Sequence, residues 1–202
     1  MIKNYIFDFG NVLCEFSPEK LTAKYIDNPD DVKTVSEVVF DRLYWDKLDN
    51  GTIDDEEVKA KIQERLPENL ADCACKAYDN WVVNLPAIEG MEDVVKRVHS
   101  RGGKLYLLSS ISRGFAESYN KVPWIKDLFS LFDGIVLSGT IGMVKPHREI
   151  FEYLLNTYSL KAEECIFIDD SQKNIAGAEK VGIRGYLFDG NAKRLKDYLE
   201  NV

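Results

Sequence analysis

Apolar positions change their spacing twice along the 202-residue chain, and those changes define its organisation. Residues 3–8 (KNYIFD) form a short apolar run with aromatic and β-branched content, the pattern of a buried strand. From Ser17 to about Leu85 the spacing is helical. Val32, Val35, Val39 and Leu43 recur at intervals of three and four, and Ser17-Pro18-Glu19-Lys20 and Thr52-Ile53-Asp54-Asp55 read as helix starts. The acidic run Asp54-Asp55-Glu56-Glu57 suits a helix N-terminus, where carboxylates complement the helix dipole. Beyond Pro86 helices and strands alternate. Met91, Val94, Val95 and Val98 share a helix face that Gly102-Gly103 closes; 105–108, 134–137, 165–168 and 185–188 read as strands. Helices are expected around Ile150–Tyr158, around Ile175–Val181, where Ala176-Gly177-Ala178 permits close approach to a sheet, and at the C-terminus.

Alternating β and α units imply a parallel sheet covered on both faces, so the fold class is α/β with a Rossmann-like core. The core comprises residues 1–15 and 86–202, and residues 16–85 form an inserted all-helical cap at the edge of the sheet. The composition shift at Leu85-Pro86-Ala87 marks the return from the insert, and no internal repeat or low-complexity segment interrupts the pattern.

In an open parallel sheet, ligands bind beyond the carboxyl ends of the strands. The residues there are Asp8, then Ser109-Ser110, then Lys145 in the loop region after the third strand, then Asp169-Asp170. Three carboxylates crowded on one rim repel one another unless a cation sits among them, and a hard oxygen donor set suits Mg²⁺. Magnesium would in turn attract a phosphate, with Lys145 and the Ser109 hydroxyl holding its remaining oxygens.

At these positions the chain resembles the haloacid dehalogenase superfamily of aspartate-nucleophile hydrolases. Ile6-Phe7-Asp8-Phe9-Gly10-Asn11-Val12-Leu13 is similar to its first motif, Leu107-Leu108-Ser109 to its second, Val144-Lys145-Pro146 to its third, and Phe167-Ile168-Asp169-Asp170-Ser171 to its fourth. The helical insert after the first motif resembles a C1-type cap. The resemblance implies that Asp8 is the nucleophile, that Ser109 binds the transferring phosphoryl group and that Lys145 offsets its charge. It also implies Mg²⁺ bound by Asp8, Asp170 and the Gly10 carbonyl, with Asp169 a further ligand, direct or through water. Two positions depart from the family pattern. Gly10 stands where phosphatases of the superfamily usually carry a second Asp as general acid and base, and Asn174 stands where an Asp is common. Asn11 cannot replace the acid, because an amide does not titrate. The D-x-G-N form of the first motif, with the cap segment around Tyr44-Trp45-Asp46, is most similar to a subgroup of sugar-phosphate phosphatases that includes α-glucose-1-phosphate phosphatase. It is also similar to the N-terminal domain of soluble epoxide hydrolases.

Some residues carry two readings. Asp169 also fits an Asx-turn or an N-cap, and Ser110 could act through its backbone N–H. Arg113 is a substrate contact or a solvated arginine at a helix start, and Trp45 is a pocket wall or a core aromatic of the cap. His147 and Arg148 fit exposure on a first helical turn.

Composition then limits the partners. With 26 Lys and Arg against 34 Asp and Glu, the net charge of −8 argues against nucleic acid. No run of apolar residues exceeds four, so no membrane span is expected, and no signal peptide is read at the N-terminus. Cys14, Cys73, Cys75 and Cys165 are scattered and read as reduced thiols of a cytoplasmic protein. The expected partner is a small phosphorylated metabolite and the expected state a monomer or weak homodimer. The expected activity is hydrolysis of a phosphate monoester, with two alternatives: carbon–halogen hydrolysis, or phosphate-ligand binding without turnover.

Overall fold

A computed structural model describes residues 1–202. Five parallel strands, β1 (Asn4–Phe7), β2 (Lys104–Ser109), β3 (Gly134–Leu137), β4 (Cys165–Asp169) and β5 (Arg184–Leu187), form one sheet in the order β3-β2-β1-β4-β5. β1 is central, paired in register with Lys104–Leu107 on one side and Cys165–Ile168 on the other. Alternation along the strands gives each face its own core. Phe7, Leu105, Leu107, Ile166 and Ile168 pack with α6 (Met91–Ser100), α7 (Arg113–Ser118), α8 (Pro123–Phe129) and α12 (Ala192–Leu199). Ile6, Tyr106, Leu108, Cys165 and Phe167 pack with α10 (Arg148–Thr157) and α11 (Gln172–Glu179). Each anticipated strand lies within one residue of its observed bounds; β1 to β4 are nearly unbroken apolar runs because both faces are covered there, while β5 is a half-exposed edge strand.

The insert holds α1 (Pro18–Thr22), α2 (Pro29–Val39), α3 (Arg42–Asp49), α4 (Asp55–Arg65) and α5 (Glu68–Asp79), and no strand. Its two connections run side by side: Glu15 N donates to Pro86 O at 2.9 Å and Ile88 N donates to Leu13 O at 3.0 Å. It leaves the carboxyl end of the central strand, and not a side strand as an insertion at the sheet's edge would, so it faces the middle of the rim. An aromatic column joins it to the core, with ring centroids 5.2 Å apart for Trp45–Trp81, 5.9 Å for Trp81–Phe115 and 4.9 Å for Phe115–Phe9.

Local chemistry revises or refines four readings. Leu43 does not continue the face of Val32, Val35 and Val39: Asp41 starts a new helix by accepting from Leu43 N, and Leu43 is 60% exposed. The cap of α4 is Asp54, with Glu57 completing a capping box, while the Thr52 hydroxyl turns back to Asn50 Oδ1. The Ala176-Gly177-Ala178 run does bring α11 onto the sheet, through Ala178, while Gly177 itself meets the Pro146 carbonyl and the Phe151 ring. Helices α7 and α8, of six and seven residues, were not anticipated, being too short to display a periodicity.

Candidate active site

Asp8 follows the last residue of β1, and its backbone N–H donates to Ile168 O of β4. The chain then turns tightly, with the N–H groups of Leu13 and Cys14 both donating to Phe9 O at 2.8 and 3.1 Å. Asn11 takes φ +54 in this turn, a conformation Asn tolerates better than most residues, and its Oδ1 accepts from Phe16 N. One oxygen of Asp8 is fixed by two donors, Phe9 N and Lys145 Nζ, both at 2.7 Å; the other has no protein partner.

Lys145 is buried between two carboxylates. Its Nζ lies 2.7 Å from Asp8 Oδ1 and 2.7 Å from Asp169 Oδ2, and 5.3 Å from the centroid of the Phe167 ring. Its backbone N–H donates to the Ser110 hydroxyl at 3.0 Å. Asp169, the last residue of β4, is wholly buried and heavily engaged: Lys145 Nζ, Ser171 N and both oxygens' contacts to Asn174 Nδ2 occupy its carboxylate. The departure at position 174 thereby has a physical reason, since the Asn174 amide donates to Asp169 where an ionised Asp could not. A fourth acid would add repulsion to a site already rich in negative charge.

Burial pushes the Asp8 carboxyl up to about 7, against the neighbouring Lys145 ammonium and with the nearby Asp169 charge adding to the rise. Burial also raises Asp170, again helped by Asp169. Burial opposes the charge on Lys145, but Asp8 and Asp169 outweigh it and hold its ammonium above the ordinary lysine range. The local field is that of three acids around one buried cation. Carboxylate oxygens of Asp8, Asp169 and Asp170 lie within 4.8 Å of one another, an all-oxygen set of the kind Mg²⁺ takes.

A cavity of about 370 Å³ opens on this rim. Asp8, Gly10, Ser109, Ser110, Lys145 and Asp170 line it from the sheet's rim, and Trp45 lines it from α3 of the helical insert. Trp45 is a core aromatic that also lines this cavity, being 6% exposed, packed among tilted aromatic rings and hydrogen-bonded through Nε1 to Val39 O at 2.7 Å. Arg113 is not brought to this cavity. It starts α7 and lines a separate groove with Gly51, Thr52, Asp54 and Glu117, because the loop from Ser110 to Ser112 turns the helix start toward the cap. His147 and Arg148 are exposed at the start of α10, as expected.

Sequence reasoning missed three contributors. Arg42 and Asp49 of α3 line the cavity with Trp45. Positions 42, 45 and 49 lie three and four apart, one helix face, so an acid placed four residues after a buried Trp was the available signal. The third is a brace behind Ser109-Ser110. After β3 the short helix α9 (Ser138–Ile141) holds that loop, with Ile111 N donating to Ser138 Oγ at 2.8 Å and Gly139 N donating to Ile111 O at 2.9 Å. A Cβ on Gly139 would sit 2.5 Å from Arg113 N and 2.8 Å from Ile111 O, both backbone atoms that cannot swing away. Gly139→Ala should therefore destabilise the protein by about 1–3 kcal/mol, read by urea denaturation, and lower turnover by shifting Ser109.

Comparison with known proteins gives the family and the fold. Residues 2–182 match the family of haloacid dehalogenase-like hydrolases. The chain is 24% identical over 183 residues to the sesquiterpene phosphatase astK of Aspergillus oryzae, covering 91% of this chain and 88% of that one. It is 24% identical over 202 residues to the D-ribitol-5-phosphate phosphatase of Bacteroides thetaiotaomicron, covering 95% and 94%. A crystal structure of a family enzyme from Bacteroides thetaiotaomicron, in complex with magnesium and inorganic phosphate, superposes with a TM-score of 0.73 at 22% identity, covering 96% of this chain and 99% of that one. A sheet that delivers Asp8, Ser109, Lys145 and the Asp169-Asp170 pair to one rim, together with a match across most of its length, places the chain in the haloacid dehalogenase-like hydrolase family.

Proposed function

We propose that the protein is a Mg²⁺-dependent phosphatase of a small phosphate monoester, in the sugar-phosphate class, working through an aspartyl-phosphate on Asp8. The observation that carries this reading is the arrangement of Asp8: one carboxylate oxygen is held by Phe9 N and Lys145, the other is free, and both belong to a cavity with Ser109 on its wall. Asp8, Asp170 and the Gly10 carbonyl would hold Mg²⁺ directly. Asp169 would reach it through water, since its carboxylate is committed to Lys145, Ser171 and Asn174. When bound, Mg²⁺ supplies positive charge that offsets the phosphate's own and draws the substrate to an acidic rim.

In the first half of the reaction the free Asp8 oxygen forms a bond to phosphorus while the bond from phosphorus to the substrate oxygen breaks. Lys145 faces the charge spread over the transferring group, and the Ser109 hydroxyl donates to one of its oxygens. Water then attacks the phosphorus of the aspartyl-phosphate, releasing phosphate and restoring the Asp8 carboxylate. Trp45, Trp81 and Phe16 line the cavity opposite the rim, and its volume of about 370 Å³ admits a small substrate.

The reading is tested by assaying phosphate release from a panel of sugar phosphates and aryl phosphates, with and without a chelator. Phosphate release should require Mg²⁺, stop on chelation and return when Mg²⁺ is restored. Hydrolysis of a 2-haloacid that survives the chelator would overturn it, as would thermal stabilisation by phosphorylated compounds without any product.

A further inference from the structure

An alkoxide leaving group is strongly basic, so a phosphatase of alkyl or sugar esters must deliver a proton to it. Gly10 carries no side chain to do so, although the space above it is open, with nothing within 4 Å of where its Cβ would be. The remaining acids and bases on the cavity wall fall away one by one. Asp8 is the nucleophile, Asp170 is assigned to the metal, and Lys145 is tied to two carboxylates. The Cys14 thiol is held protonated far above neutral by burial and by the Asp8 charge, Lys173 is exposed, and Arg42 is a charge-bearing donor beside the site.

Asp49 is left. It is 7% exposed and lines the cavity from α3, and its carboxylate oxygens are not among the sealed polar atoms of the interior but open onto the cavity. A carboxyl set this deeply and uncommitted to protein donors is available to a group that enters the cavity. Its position is firmly set. It is the last residue of α3, and the chain turns immediately after it through Gly51 at φ +72, where Gly51 N donates to Leu48 O and Thr52 N to Lys47 O. A Cβ on Gly51 would meet Gly139 O of the core at 3.1 Å, so the turn docks against the same brace that supports Ser109. The helix C-terminus is also the negative end of the dipole, which disfavours a carboxylate there.

We propose that Asp49 is the general acid and base of the reaction, protonating the departing substrate oxygen from the cap side. As the bond from Asp8 to phosphorus forms and the ester bond breaks, the Asp49 proton passes to the leaving oxygen and the alcohol departs neutral. The Asp49 carboxylate then takes a proton from the water that attacks the aspartyl-phosphate, which returns both acids to their starting states. Burial holds the Asp49 carboxyl up at about 7, with Asp46 adding to the rise and Arg42 and Lys145 opposing it; Asp8 and Asp170 share its cavity. A proton is thus available to donate below neutral pH and the base form above it.

This inference rests on the phosphatase reading, and the experiment separates the two. Wild type and Asp49→Asn are compared, with Mg²⁺, on β-glycerophosphate and on p-nitrophenyl phosphate, whose leaving group departs without protonation. Asp49→Asn should slow alcohol release from β-glycerophosphate by about 10²–10⁴-fold while retaining the pre-steady-state burst of p-nitrophenolate, which also shows that the variant is folded. In wild type, kcat for β-glycerophosphate should fall above about pH 7 and the p-nitrophenolate burst should not. Equal slowing of both substrates, no slowing of either, or a wild-type pH profile alike for both overturns the role of Asp49 and leaves the phosphatase reading intact. Turnover of neither substrate by wild type overturns the reading and this inference with it.

Discussion

An Asp8→Asn variant is expected to lose phosphatase turnover by about 10⁴-fold or more, because an amide cannot form the acyl-phosphate and the remaining groups supply only binding and charge. The loss should come without loss of fold. Burial raises the Asp8 carboxyl to about 7 in the folded chain, against an ordinary value near 3.9 once unfolded. The folded state therefore keeps a proton that the unfolded state releases. Stability contributed by this group is full below about pH 4 and is lost as pH rises toward 7, the opposite of the usual salt-bridged carboxylate. At pH 8 and without Mg²⁺, replacing the acid by its neutral isostere should leave the melting temperature unchanged or higher. A variant that is both inactive and several degrees less stable at pH 8 would mean that Asp8 is a structural partner of Lys145 first and a nucleophile second.

Lys145→Ala should have the larger effect on stability. Nζ is the cation shared by Asp8 and Asp169, and its loss leaves two buried carboxylates facing each other with no compensating charge. Breaking a buried pair in this way costs about 3–5 kcal/mol. Activity should fall by about 10²-fold or more, since charge stabilisation on the transferring group goes with it. Lys145→Arg should not rescue the variant: the guanidinium is larger and flat, and this site holds a compact ammonium over the Phe167 ring with almost no exposure. Guanidinium chloride denaturation checks the first number. Added Mg²⁺ should recover part of the stability of Lys145→Ala, because a cation among Asp8, Asp169 and Asp170 replaces some of the missing charge.

Much of this site could be read in advance, and the reason lies in strand geometry. β1, β2 and β4 are apolar runs that end abruptly in a polar residue, so Asp8, Ser109 and Asp169 announce both the strand and its carboxyl end. Lys145 lies in no strand; it was legible from its place in the loop region after β3 and from the resemblance of Val144-Lys145-Pro146 to a family motif. The cap was legible as helices but not as a surface. Placing Arg42 and Asp49 required knowing which face of α3 meets the rim, and that depends on the break at Asp41, where Leu43 N and Arg65 both bond to one carboxylate. Arg113 shows the converse error: closeness in sequence to Ser109 does not bring it to the cavity, because three residues suffice to turn α7 away. Gly139 carried no sequence signal, since its constraint is the backbone of a loop far away in the chain.

The covalent intermediate on Asp8 is the claim on which the rest depends, and acid-quenching turnover with p-nitrophenyl phosphate and Mg²⁺, followed by peptide mass spectrometry, tests it most directly. The account predicts a phosphoryl group on the peptide that spans Asp8, stable to acid, released by hydroxylamine and absent from Asp8→Asn. Phosphate turnover with an unmodified Asp8, or a hydroxylamine-stable phosphoryl group on Ser109, would contradict it.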